Sequence, residues 1–113
     1  YAVTLFNKGR ERHVQAILDT GNHLTMPLSG RPVQVLDVCA AERFFSWEDG
    51  VQYIPFRSVG KDGGVIPAYQ AERMEVSGQG GMRVIEKPWI AVSQEALSQK
   101  GGYQMLLNEK YWL

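Results

Sequence analysis

Residues 13–24 read HVQAILDTGNHL. Apolar residues alternate through Val14, Ala16 and Leu18, and the run ends at a carboxylate, Asp19, followed by Thr20 and Gly21. Alternation with period two predicts a β-strand with one buried face. The tripeptide Asp-Thr-Gly then has two readings. It can be a surface turn, in which Asp accepts backbone N–H groups and Gly takes positive φ. It can also be a carboxylate presented at the end of a core strand. An Asp-Thr-Gly arises by chance in a chain of this size with a probability of about 0.02 from average residue frequencies. The lead-in Ala16-Ile17-Leu18 favours the second reading, because a surface turn needs no apolar run in front of it.

Upstream, YAVTLF (1–6) alternates with Tyr1, Val3 and Leu5 on one side, and NKGR (7–10) supplies a turn with Gly9 available for positive φ. Residues 1–19 therefore predict a β-hairpin running straight into Asp19. Downstream, PLSGRP (27–32) is a turn cluster and VQVL (33–36) a short strand. Asp37 is placed to cap a short helix through VCAAERFF. Two β-rich arms flank GKDGG (60–64), a second hairpin with a polar tip, and a third strand pair turns at SGQGG (77–81). Ser93 is placed to cap a last short helix at QEALSQ, and YQMLLNEKYWL (103–113) reads either as a helical turn or as a C-terminal strand. The fold is expected to be mainly β, a closed barrel or a sandwich.

The 113 residues fit one domain, and 44% apolar residues suffice for a single core. The net charge is zero, so nothing points to nucleic acid or to an anionic membrane surface. Two His and one Cys exclude a disulfide framework and leave too few soft ligands for a Cys/His zinc site; no metal or cofactor is expected. The single Cys39 fits a reducing compartment and is expected to pack as a small apolar residue on its helix. No apolar run approaches the roughly 20 residues of a membrane span. The first residue is Tyr rather than Met, inside a strand-like run, so the chain is expected to be a domain of a longer protein.

The residue types around Asp19 suit peptide-bond hydrolysis by activated water. That reaction needs one carboxylate as base and one carboxylic acid as acid, and two Asp sharing one proton supply both. Gly21 lets the backbone turn tightly behind the carboxylate, and Thr20 is placed to hydrogen-bond across a two-fold axis. The chain holds a single Asp-Thr-Gly, so a dyad requires two copies, which an isologous dimer provides.

ILDTG after a β-hairpin, in a domain about half the size of a two-lobed pepsin-like enzyme, resembles the retropepsin type of aspartic protease. AILDTGNHLTMPLSGRPV and IPFRSVGKDGGVIPAY together resemble the protease domain of the sporulation sigma-E factor-processing peptidase family, SpoIIGA, of endospore-forming bacteria. YQMLLN is similar to the family's ending. The resemblance implies a retropepsin-like closed β-barrel with one or two short helices and half an active site per chain. It implies an aspartic endopeptidase that, as a homodimer, removes the N-terminal pro-segment of the sigma-E precursor, with Asp19 catalytic and Thr20 and Gly21 in the active-site loop. It implies that residues 1–113 are the cytosolic part of a longer membrane-anchored protein. That protein would sit on the mother-cell side of the sporulation septum and respond to a secreted activator. Retropepsins carry an apolar-apolar-Gly block before the last helix. WIAVSQ (89–94) stands where it would fall and has no Gly, so the second half of the framework and the dimer geometry are expected to differ.

RSVGKDGG is the natural flap over an extended substrate, with Arg57, Ser58, Val59, Gly60, Lys61, Gly63 and Gly64 as its candidate residues; the plain alternative is a glycine-rich turn. Arg57 and Ser58 either serve substrate or pair with backbone. SGQGG is followed by no helix and reads as a hairpin turn, not a nucleotide loop. His13 and His23 have no spacing that joins them to Cys39, and His23 is expected at the rim of the Asp19 site. Trp89, Tyr111, Trp112 and Leu113 are expected in the core or an interface, with YAVTLF and EKYWL as strands that interleave between two copies. From a different class, the domain would be a non-catalytic β-rich module for dimerisation or peptide binding, with Asp-Thr-Gly as a structural turn.

Overall fold

The structure, a computed structural model, describes residues 1–56, 63–98 and 100–112. Its elements are β1 (Ala2–Asn7), β2 (Arg10–Asp19), β3 (Val33–Asp37), α1 (Val38–Ala41), β4 (Gln52–Phe56), β5 (Gly64–Gln70), β6 (Arg73–Gly78), β7 (Gly81–Glu86), β8 (Trp89–Ser93) and β9 (Met105–Asn108). Single 3₁₀ turns cover Trp47–Asp49 and Glu109–Trp112. Among the described residues no helix is long and apolar enough to cross a membrane.

The expected first hairpin is present. β1 and β2 pair antiparallel from Ala2↔Gln15 to Asn7↔Arg10, leaving Lys8-Gly9 as a two-residue loop. Both loop residues have positive φ, 50° and 77°, the type I′ geometry that matches the strand twist. Val3, Leu5, Val14 and Ala16 point inward, as the alternation requires. Tyr1 departs from it: the ring is 44% exposed and lies across Gly78 rather than in the core.

β9 inserts between the two strands that flank the Asp-Thr-Gly loop. It runs parallel to β2, from Ala16↔Met105 to Asp19↔Asn108, and antiparallel to β3. β8 covers the other edge of β3 in parallel. β3 is consequently buried along its whole length and on both faces, which explains its apolar composition. On one face lies the core of Leu36, Phe44, Met74, Ile90, Met105 and Leu107; on the other, Val33 and Ala91 pack with Met26, Ile54 and Ala68, with Trp89 half-buried beside them. Each fully buried aliphatic side chain contributes about 1.5–3 kcal/mol by leaving water.

β5–β6 and β7–β8 are two arms of one long bent hairpin. Antiparallel pairing runs through β6·β7 and β5·β8, and the bend between them is spanned by Ala71 N–H to Pro88 C=O (3.0 Å) and Lys87 N–H to Glu72 C=O (2.9 Å). One half of this hairpin pairs with β3 and the other with β1. The nine-stranded order is β4-β5-β8-β3-β9-β2-β1-β6-β7, so the mainly β class is as expected. The sheet is not closed by hydrogen bonds: β4 and β7 are its outer strands, and the halves are joined through the covalent bend instead of a final ladder.

Several local expectations change. Asp37 caps α1 as expected, its Oδ1 accepting Cys39 N–H at 2.8 Å, but the helix is a single turn. Only Ala41 of that turn is buried, so Cys39 is exposed rather than packed. Residues 94–98 form no helix. Asp37 Oδ2 accepts Leu97 N–H (3.1 Å), and Ser93 Oγ exchanges hydrogen bonds with Glu95 N–H and C=O, which holds the segment in an open turn. β1 is paired on both edges, by β2 and β6, so YAVTLF has no free ladder to offer a second copy; residues 109–112 are 3₁₀ rather than strand. Leu113 and the side chains of Tyr111 and Trp112 lie outside what is described.

Candidate active site

Asp19 is the last residue of β2, half-buried, in register with Asn108 at the end of β9. Its Oδ1 accepts the Gly21 N–H at 2.9 Å, and its backbone C=O accepts the Asn22 N–H at 3.0 Å. The Asp-Thr-Gly segment is therefore a turn and a strand-end carboxylate at once: the turn is built on the last residue of a core strand. Among the described residues no group donates to Oδ2. A Cβ at Gly21 would stand 3.3 Å from Asp19 Oδ1, so a larger residue there presses on the carboxylate; the φ of Gly21 is not positive. Thr20 is exposed at the tip of the turn, and His23 beyond it is exposed too.

Three buried amides surround the base of this turn, and the sequence reading did not single them out. Asn22 is 5% exposed, Gln34 and Asn108 0%. Asn22 Nδ2 donates to Val33 C=O (3.1 Å) and Leu106 C=O (3.4 Å), while its Oδ1 accepts Leu24 N–H (3.1 Å). Asn108 Nδ2 donates to Leu24 C=O (2.8 Å) and Val33 C=O (3.4 Å), and its Oδ1 accepts Lys110 N–H (3.0 Å). Asn108 N–H donates to Gln34 Oε1 at 2.7 Å; Gln34 Nε2 is buried with no acceptor among the described residues. The signal was available: a Gln inside the strand VQVL and an Asn ending the apolar run MLL are amides next to residues that read as buried.

The framework strand beside Asp19 is MLLN, not WIAVSQ. Residues 89–93 form β8, which pairs with β3 and β5, whereas β9 lies next to β2 and places Asn108 beside Asp19. Of the flap residues, Arg57, Ser58, Val59, Gly60 and Lys61 lie outside the described residues. Gly64 begins β5 opposite Phe56, whose ring stands 3.2 Å from where its Cβ would be, and Gly63 precedes it exposed. His13 is exposed on β2, its Nδ1 3.1 Å from Thr4 Oγ1 and its Nε2 3.5 Å from Glu11. Among the described residues no three His, Cys, Asp or Glu side chains gather as a metal site.

Among the described residues, one carboxylate has a displaced titration. Asp49 sits in the turn before β4 with its side chain 3% exposed, clasped by the Lys8 ammonium, with Arg10 at 3.5 Å and Ser46 N–H at 2.8 Å. Burial alone would raise its pKa; the Lys8 hydrogen bond, the Ser46 N–H and the charges of Lys8 and Arg10 outweigh this and hold it below the ordinary carboxylate value.

The chain matches the family model described as Sporulation factor SpoIIGA, a peptidase family, over residues 1–48 and 45–111. It belongs to that family. A relative from Bacillus thuringiensis subsp. kurstaki, named as a sporulation sigma factor-processing peptidase, is 25% identical over 122 aligned positions. These cover 88% of this chain and 76% of the relative. No solved structure matches the chain. In this SpoIIGA-family chain the first matched segment carries β1 to β3, and so Asp19; the second carries β4 to β9, and so Asn108. The candidate site is the junction of the two.

Proposed function

We propose that this SpoIIGA-family domain is an aspartic endopeptidase that works as a homodimer and removes the N-terminal pro-segment of the sigma-E factor precursor. The observation that carries the reading is Asp19: a half-buried carboxylate at the end of a core strand, tethered through one oxygen by the Gly21 N–H, with no donor to its other oxygen among the described residues. The relative's name supports a sigma factor as the substrate.

Two Asp19 residues facing across a two-fold axis would share one proton. The ionised partner takes a proton from water as the water attacks the scissile carbonyl carbon. The protonated partner donates to the carbonyl oxygen, and a proton passes to the departing amine as the C–N bond breaks. Thr20, exposed beside the carboxylate, is the group that reaches toward the second copy, and the segment 57–65 is the cover over an extended substrate. β1 is paired on both edges, which supports a dimer contact around the Asp-Thr-Gly loops rather than by interleaving YAVTLF. The family resemblance supports a membrane-anchored full-length protein on the mother-cell side of the septum, with a secreted activator upstream.

The test is co-expression of this domain, fused to a constitutive dimeriser, with the sigma-E precursor, read by mass for the shortened product. Shortening that vanishes with Asp19→Asn is the expected result. Shortening that survives the substitution sinks the aspartic reading. A formed dimer that never shortens the precursor, with activator added, leaves a β-rich dimerisation or peptide-binding module.

A further inference from the structure

The proposed chemistry uses none of the three amides under the Asp19 turn, yet burying amides in a strand core is costly where aliphatic side chains would fill the space. Their bonds converge on one place. Leu24, where the chain returns from the turn, has its N–H held by Asn22 Oδ1 and its C=O by Asn108 Nδ2, and Val33 C=O accepts from both amides. Among the described residues the Asp19 carboxylate is tied to Gly21, inside the same turn, so that bond moves with the turn and cannot set its position. What sets it is the β2–β9 ladder ending at Asp19↔Asn108, together with the amides that pin the loop's return to β9 and β3.

Resting on the reading of Asp19 as the catalytic carboxylate, we propose that Asn108, aligned through Gln34, is a positioning residue that sets the Asp19 loop for its encounter with the second copy. Asn108 is suited to the task because one side chain joins the loop (Leu24), β3 (Val33) and the chain's end (Lys110) at the strand position next to Asp19. Its backbone N–H is fixed in turn by Gln34 Oε1. Removing the side chain leaves the fold a route to persist, since Val33 N–H also donates to Leu24 C=O, at 3.0 Å. The loop would loosen, and a carboxylate pair that shares a proton is sensitive to separation: as the groups part, their two apparent pKa values converge.

The experiment compares Asn108→Ser and Gln34→Met with the parent and with Asp19→Asn, in the dimer fusion acting on the sigma-E precursor. It reads kcat and KM from acid to neutral pH, with folded fraction and dimer mass measured at each pH. The expected result is a kcat lower by about tenfold to a hundredfold with KM within about twofold. The bell-shaped pH profile should narrow in both variants, with Asp19→Asn inactive. A merely structural role lowers the folded fraction and leaves the width of the profile unchanged. Inactive Asp19→Asn together with folded, dimeric variants of parental kcat and profile width overturns the positioning role alone. Cleavage by Asp19→Asn overturns the catalytic reading and this role with it. Unfolding of both variants makes the amides structural and overturns it too.

Discussion

Asp19 and Asn108 end two parallel neighbouring strands side by side, although 89 positions separate them in the chain (108 − 19 = 89). One carries a carboxylate whose Oδ2 has no donor among the described residues; the other carries a fully buried amide that holds the loop following the carboxylate. The site therefore depends on a strand at the far end of the sequence, and the consequences can be measured.

Asp19→Asn should abolish cleavage while leaving the fold intact. The Asn Oδ1 still accepts the Gly21 N–H, so unfolding free energy should change by no more than about 0.5 kcal/mol. Precursor processing should fall by at least about a thousandfold. A chemical-denaturation curve run beside the cleavage assay separates the two, and a large loss of stability would contradict the bond assignment.

Gly21→Ala should damage the site more than the fold. The new Cβ meets Asp19 Oδ1 at 3.3 Å, so the carboxylate must shift by a few tenths of an ångström. We expect kcat to fall by about tenfold or more with the thermal midpoint little changed, because small displacements of a reacting group are costly in rate. Parental kcat in Gly21→Ala would show that the turn absorbs the methyl without moving the carboxylate.

Asp49 should make stability fall in acid. Its folded pKa lies below the ordinary carboxylate value because Lys8, Ser46 N–H and Arg10 outweigh the effect of burial. Its contribution is therefore complete above the unfolded pKa of about 3.9 and is lost as pH falls through the lower folded value. Thermal midpoints of the parent and Asp49→Asn should differ at neutral pH and converge well below pH of about 4. A gap that persists in strong acid would assign Asp49's contribution to packing instead of charge.

Phe44 and Leu28 test the placement of the core. Phe44 is fully buried and packs edge-on against Phe45 at 4.8 Å, so Phe44→Ala should cost about 3–5 kcal/mol. Leu28 stands free at 103% exposure in the 27–32 turn, and Leu28→Ala should stay within about 0.5 kcal/mol. Equal effects at the two positions would be incompatible with this packing.

Much of the local structure was legible before any pairing was known. The hairpin into Asp19, its Lys8-Gly9 turn, the Asp37 cap and the strand pair turning at 77–81 all follow from turn chemistry and period-two alternation, which act over a few residues. Asp19 was legible for the same reason: an apolar strand leading into Asp-Thr-Gly is a local pattern. Partnership across the chain was not. MLLN reads equally as a helical turn or a strand, because four apolar-rich residues carry no decisive period, and only insertion between β2 and β3 makes it β9. The bend that sends one hairpin to both halves of an open sheet has no local signature either. Nor does the double pairing of β1 that occupies the strand expected to interleave. Asn22, Gln34 and Asn108 lie far apart in sequence and become one network only after β9 docks. The chemistry of a carboxylate is written in a few adjacent residues; what holds it in place is long-range hydrogen bonding and burial, which packing alone brings together.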